Sequence, residues 1–229
     1  MHRHILTICG IAAGLVAGAS AQVRVIDYED LEEGFYGQNF THMGVTYHTI
    51  NQVSGRFPDG DTFGPQPDDR VIIENAQFAY DAFPGWGSAN MAMTFGNAYV
   101  NGPNLSIGRV SSVTMDLDEI ASFASINMMY YENGPWGGIS WHFDALYNGI
   151  VVASDSFVIA DGGGRDNPAP GFMSVEAPAF NQLHLYARYG DDYSLPRTLI
   201  DDLTLHIVPT PGTLAVAGLL SLAGLRRRR

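Results

Sequence analysis

Ile139-Ser140-Trp141-His142-Phe143-Asp144-Ala145-Leu146-Tyr147 decides the fold, because its side chains alternate in character with a period of two. Ile139, Trp141, Phe143, Ala145 and Tyr147 share one face, and Ser140, His142 and Asp144 share the other. Asn148-Gly149 follows, a pair suited to a two-residue hairpin turn, and Ile150 to Ile159 then returns as a second strand. The same alternation recurs toward the C-terminus. Leu183, Leu185, Ala187 and Tyr189 alternate with His184, Tyr186 and Arg188, and Leu199, Asp201, Leu203, Leu205 and Ile207 form a last series. Further β-rich runs are Val23–Asp27, Val45–Ile50, Val71–Glu74, Met91–Phe95, Arg109–Leu117 and Phe123–Tyr131. No run of helical period competes with these, and Asp118 to Ser122 is expected as a single turn. About nine or ten strands joined by Gly, Pro and Asn turns predict an all-β fold, an antiparallel β-sandwich.

The two ends of the chain read differently. Arg3, with His2 and His4, makes a short basic start; Ile5 to Gly18 is apolar, and Ala19-Ser20-Ala21 is a small-x-small cleavage site. Residues 1–21 are therefore expected to be a signal peptide cut by signal peptidase between Ala21 and Gln22. The single cysteine, Cys9, lies inside it, so the mature chain is expected to have no disulfide and no thiolate-bound metal. At the other end, Gly212 to Leu225 is apolar and Arg226 to Arg229 closes the sequence. As a helix this stretch is roughly 21 Å long, short of the ~30 Å hydrocarbon core, so it predicts a transient transmembrane helix in the inner membrane with its arginines on the cytoplasmic side. Pro209 and Pro211 hold the preceding segment extended, as a processing enzyme needs its substrate. A plain C-terminal membrane anchor is the alternative.

Val208-Pro209-Thr210-Pro211, the short Gly/Ala/Leu helix and the terminal arginine cluster resemble the PEP-CTERM protein-sorting signal. In that family the residue between the two prolines is usually Glu; here it is Thr210. The resemblance covers residues 208–229 and implies recognition by an exosortase-like enzyme, removal of the helix and arginines, and delivery to the cell surface or extracellular matrix. It is silent about residues 22–207, which are expected to form the one β-sandwich domain.

Charge narrows the partners of that domain. The chain has 229 residues, no lysine, 12 arginines and 24 acids. Five arginines lie in the terminal segments and all acids lie between them, which leaves 7 − 24 = −17 on the central part. Such a surface repels nucleic acid and anionic lipid. Catalytic signatures such as Gly-x-Ser-x-Gly, His-Glu-x-x-His and phosphate-cradling glycine loops are absent from the sequence. A non-enzyme is expected, with a carboxylate pair for glycoside cleavage as the remote enzymatic alternative.

Ile26-Asp27-Tyr28-Glu29-Asp30-Leu31, Gly44-Val45-Thr46-Tyr47 and Leu199-Ile200-Asp201-Asp202-Leu203-Thr204-Leu205 resemble the jelly-roll domains that accompany this sorting signal, which are similar to galactose-binding-like and carbohydrate-binding modules. The resemblance implies that first and last strands are neighbours, with a structural Ca²⁺ held between their acidic residues. Glu29, Asp30, Asp201 and Asp202 are the candidate ligands, since calcium takes six to eight oxygens. Asp201 stands out because simple alternation places it on the apolar face of Leu203 and Leu205, where a carboxylate must be paired, hydrogen-bonded or metal-bound. Capping of backbone amides by Asp201 is the alternative.

Trp86 in Phe83-Pro84-Gly85-Trp86-Gly87 and Trp136 in Gly134-Pro135-Trp136-Gly137-Gly138 are candidate ligand residues, because an indole in a glycine-rich turn can stack on an apolar sugar face. The alternative is that both fold back over the ends of the sandwich. Together these features predict an exported, non-catalytic protein that binds an exopolysaccharide. A purely structural matrix component without a small ligand is the competing reading.

Overall fold

A computed structural model describes residues 22–49, 55–56, 60–63, 69–88, 90–101, 104–108, 112–131, 133–134, 138–159, 162–193 and 198–209. Residues 1–21, expected as a signal peptide and including Ala21, the expected sorting tail from residue 210 with Pro211, and Trp136 lie outside the described residues. The strands are β1 Gln22–Ile26, β2 Gly34–Gly37, β3 Asn39–His42, β4 Val45–Thr49, β5 Gly55–Arg56, β6 Thr62–Phe63, β7 Asp69–Asn75 and β8 Met91–Asn101. They continue as β9 Asn104–Gly108, β10 Ser112–Tyr130, β11 Asn133–Gly134, β12 Ile139–Tyr147, β13 Ile150–Val158, β14 Gly162–Gly163, β15 Ala169–Tyr189, β16 Asp192–Tyr193 and β17 Thr198–Ile207. One helix, α1 Gln77–Ala82, and a 3-10 turn, Gly164–Asp166, complete the described elements.

The β12–β13 hairpin forms as its sequence dictates. Ile139, Trp141, Phe143 and Ala145 are buried, and the residues between them are half-buried on the opposite face. Asn148 and Gly149 have φ of 51° and 80°, the left-handed pair that a type I′ turn requires. Asn181 fixes the turn from outside by accepting the Asn148 N–H at 3.0 Å.

The described strands pair antiparallel throughout, apart from the short parallel contact of β16 with β5. One layer runs β13-β12-β15-β10-β4-β3, using the C-terminal part of β15 (Gln182–Tyr189) and the N-terminal part of β10 (Ser112–Leu117). The other layer uses the remaining parts of the same two strands. There Ala121–Tyr130 of β10 lies between Ala169–Phe180 of β15 and β17, and β17 is flanked by β1 and by β8 with β7 and β2 beyond it. β1 and β17 are neighbours over Gln22–Ile26, so the first and last strands of the domain are joined. Side chains from both layers enclose one core, in which Trp141, Phe143, Tyr47, Met115 and Leu185 meet Ile26, Ile73, Met93, Ile126, Phe180 and Leu203. The described residues up to Val208 belong to one compact unit, an antiparallel β-sandwich.

Two local expectations are corrected and one, the Leu183–Tyr189 strand, is extended. Asp118–Ser122 is not a turn but part of the continuous strand β10, whose register shifts between Asp116 and Phe123 mark the place where the strand passes from one layer to the other. Asp118 and Glu119 project there and both pair with Arg24. The run Leu183–Tyr189 is the end of a 21-residue strand that starts at Ala169. Helix α1 escapes sequence reading because its six residues carry no period and no side-chain cap; burial of Ala79 holds it in place.

Phe143 is fully buried among these side chains. Phe143→Ala should lower unfolding free energy by about 3–5 kcal/mol in urea titration, through lost transfer energy and a residual cavity. A loss below about 1 kcal/mol would show that the two layers do not pack around this ring.

Candidate functional site

The outer face of the β13-β12-β15-β10-β4-β3 layer carries rows of polar and aromatic side chains on the side opposite the core-facing residues. Strand register sorts them into cross-strand rows. Ser156, His142, Tyr186 and Ser112 stand opposite one another in the first row. Ser154, Asp144, His184, Thr114, His48 and Asn39 form the second. Gln182, Asp116, Thr46 and Thr41 continue the third.

Within these rows the rings stand against each other. His142 stacks on Tyr186 with centroids 5.0 Å apart and planes 12° apart, and His184 stacks on the same ring at 4.5 Å and 25°. The Arg188 guanidinium lies 5.6 Å from the Tyr186 centroid. Each imidazole also has a hydroxyl partner: His142 Nε2 is 2.9 Å from Ser140 Oγ, and His184 Nε2 is 3.0 Å from Ser112 Oγ. Burial, helped by Arg188 and opposed by Asp144, holds both imidazoles below the ordinary histidine pKa. His48 bridges Asn39 at 2.7 Å and Asp116 at 3.0 Å, and Asp116 also accepts Gln182 Nε2 at 2.7 Å. The result is a comb of upright ring edges, amides and hydroxyls on a rigid sheet. Sequence alternation exposed the members of this face on β12 and β15 separately. It held no signal that strands forty residues apart would pair in a register that sets His142 beside Tyr186.

The other candidate residues lie elsewhere: Asp201 and Asp202 on β17 of the second layer, and Glu29 and Asp30 in the segment after β1. Asp201 is fully buried, yet it does not share a face with Leu203 and Leu205. A β-bulge intervenes: two steps along β10, from Ser125 to Asn127, match three along β17, from Thr204 to Asp201, with Asp202 at φ 51°. Leu203 and Leu205 therefore face the main core with Ile200, whereas Asp201 turns outward with Leu199, toward α1 and the loop that follows it. Asp201 Oδ2 accepts the Tyr80 hydroxyl and the Ser88 N–H, both at 2.8 Å, and its Oδ1 accepts the Asp202 N–H at 2.8 Å. Gly87, at φ 63°, sits so close to this carboxylate that any Cβ there would overlap it.

Asp202 accepts Asn127 Nδ2 at 3.1 Å and the Ser88 hydroxyl. Glu29 accepts the Met91 N–H at 2.6 Å, and Asp30 lies 3.2 Å from His42 Nε2. Glu29, Asp30, Asp201 and Asp202 thus each have a partner within the protein, and Ser88 donates to both Asp201 and Asp202. Among the described residues no group of three or more His, Cys, Asp or Glu is placed to hold a metal. Asp201 caps backbone amides instead.

Trp86 is corrected as well. It is 7% exposed, its indole N–H donates to Met128 O at 2.9 Å, and its ring lies 5.2 Å from Tyr80. Gly85 and Gly87, at φ 94° and 63°, reverse the chain around it, so the glycines that suggested an exposed indole are what fold it inward. Trp86 belongs to a second small core with Ala79, Met129, Tyr131 and Leu199. Beside it the buried Glu74 accepts the Tyr131 hydroxyl at 2.7 Å and lies 3.5 Å from Arg165, whose guanidinium covers Phe78. Gln22 begins β1, and Pro209 is the last described residue after β17. Among the described residues no helix is long and apolar enough to cross a membrane.

No family model matches the chain, and no curated protein matches it. Solved structures do. The K1 cleaved adhesin domain of Lys-gingipain from Porphyromonas gingivalis W83 is 10% identical, with 82% of this chain and 99% of that chain covered at a TM-score of 0.44. The family 11 carbohydrate-binding module from Clostridium thermocellum, solved with a β-1,3-1,4-mixed-linked tetrasaccharide, is 8% identical, with 83% and 98% covered at 0.37. CBM35 from Cellvibrio japonicus Abf62 is 12% identical, with 82% and 95% covered at 0.30.

Burial pushes the Asp201 carboxyl up to about 7, with Asp202 adding to the effect and the Ser88, Tyr80 and Asp202 donors opposing it. A folded-state pKa raised above the unfolded value stabilises the fold fully below about pH 4, and that contribution is lost as pH rises through about 7. Stability of the wild type should therefore fall across this window by a part, ~4 kcal/mol at most, that Asp201→Asn lacks. Parallel pH profiles for the two proteins would remove Asp201 from the titration.

Proposed function

We propose that the chain is an exported, non-catalytic surface or matrix protein whose sandwich binds an exopolysaccharide across the outer face of the β12/β15 layer. One observation carries this reading: the rows through His142, Tyr186 and His184 align uncharged donors and acceptors across adjacent strands. A polysaccharide presents repeated hydroxyls, each able to donate and accept, and is matched by repeated neutral partners in fixed positions. Tyr186, flanked by two imidazoles and Arg188, is the anchor of the row. Ser154, Ser156, Thr114 and Asn39 extend it without adding charge.

The delivery route rests on the termini. Cleavage after Ala21 releases Gln22 as the first mature residue, and Pro209 and Pro211 present the tail to an exosortase-like enzyme while the apolar helix pauses in the inner membrane. The protein then reaches the cell surface or extracellular matrix. Intact mass spectrometry of the native surface form should show neither Met1–Ala21 nor Arg226–Arg229; arginines retained on the mature protein would make the tail a plain anchor.

A second reading, a structural matrix component, is favoured by the edge strand β13, where Ile150, Val151, Val152 and Val158 are exposed. Affinity electrophoresis separates the two. The binding reading expects retardation in gels cast with at least one neutral polysaccharide, with Tyr186→Ala weakening it about ten-fold or more, ~1.4 kcal/mol. Migration unaffected by every polysaccharide would favour the structural reading, and retardation indifferent to Tyr186→Ala would move the site off this face.

A further inference from the structure

Resting on that reading, we infer that the face holds an uncharged glycan only while His142 and His184 are neutral, so that acidification releases the ligand. The geometry is that of three basic groups around one phenol ring: His184 at 4.5 Å, His142 at 5.0 Å and Arg188 at 5.6 Å. At neutral pH only Arg188 is charged, and Asp144, opposite His184 on the neighbouring strand, balances it. β13 contributes Ser154 and Ser156, since Asp155 caps the Ser174 N–H at 2.9 Å and sits on the core-side row with Phe143. β10 contributes Ser112, Thr114 and Asp116, and the Asp116 carboxylate is shared between His48 and Gln182. β4 contributes His48, whose ring nitrogens lie against Asn39 and Asp116.

A neutral imidazole has one donor and one acceptor nitrogen, whereas an imidazolium has two donors. Protonation therefore removes the acceptor from each ring and forces Ser140 and Ser112 to accept, turning their hydrogens toward other groups. It also places three cations around Tyr186 against the single carboxylate of Asp144. A row matched to hydroxyls becomes a positive patch, and an uncharged polyol loses acceptors to a ligand-free arrangement. Both rings resist protonation in the folded protein, so the change falls below the ordinary histidine range rather than within it.

The test uses the full mature protein and the neutral polysaccharide that retards it most at pH 7.5. Affinity measured at pH 7.5 and pH 5.0 should fall by about ten-fold or more in the wild type. His142→Gln/His184→Gln, uncharged at both values, should bind equally at both. Unfolding is followed in the same samples by circular dichroism. Because the double variant has two changed core-flanking side chains, the ring protons of both histidines are also titrated by NMR in the wild type: bound glycan should lower both imidazole pKa values. Failure of every polysaccharide to bind at pH 7.5 overturns the binding reading itself. Wild-type binding that is equal at both pH values, acid loss that persists in the double variant or that coincides with unfolding, or imidazole pKa values unmoved by ligand, overturns the inference while leaving that reading intact.

Discussion

Strands β10 and β15 are hydrogen-bonded to each other from Ser112 with Tyr186 to Tyr130 with Ala169, interrupted only by bulges near the middle. Because each belongs to one layer at one end and to the other layer at the other, their pairing ties both sheets into one object. The strands that pair with them take their register from one of these two. β12 and β4 read theirs from the Gln182–Tyr189 and Ser112–Leu117 ends; β17, and through it β1 and β8, read theirs from Ala121–Tyr130. A one-residue slip in this pair would turn Leu183, Leu185 and Ala187 outward and bury His184 and Tyr186. The same constraint that makes the core therefore makes the polar rows.

The second layer shows how a buried carboxylate organises a local cover. The bulge at Asp202 turns Asp201 away from the main core, and the donors of Tyr80, Ser88 and Asp202 then surround it. Two of those donors, Tyr80 and Ser88, come from α1 and the loop after it, so one carboxylate fastens a helix that has no side-chain cap or period of its own. Trp86 closes the arrangement by bonding Met128 across the layer. A charge in such a place is stabilised only with its full set of donors, and Gly87 is required because no side chain fits against it. This corner is thus a structural device in which Tyr80 and Ser88 satisfy Asp201, and Ser88 also donates to Asp202.

The sequence made the sandwich legible because alternation and turn chemistry are local. Ile139–Ala145 and Asn148-Gly149 are as the residues imply, though Tyr147, expected on the buried face, is exposed; the pairing of β1 with β17 is as the resemblance implies. What it concealed depends on events that are not local. Asp118–Glu119 looked like a turn because two acids interrupt an apolar run, yet Arg24, far away in sequence, receives them at a bend. Asp201 was assigned the wrong face because one inserted residue at Asp202 reverses the alternation, and a bulge has no fixed composition. Trp86 looked exposed because its glycines favour a turn, but a turn can aim its side chain inward. The candidate face was half-visible: His142 and Asp144 on one strand, His184, Tyr186 and Arg188 on another, with nothing local to say that they meet.

The central claim is that this face, and not the loops or the covered side of the second layer, receives a polysaccharide. Chemical-shift mapping of isotope-labelled protein titrated with a soluble oligosaccharide of the retarding polymer tests it most directly. The account predicts that perturbed amides and side chains cluster at 140–144, 182–188 and 112–116, with Tyr186 and both flanking histidines among the most affected. Perturbations centred on α1 and Trp86, or on the Val23, Val25 and Phe172 side of the second layer, would contradict it.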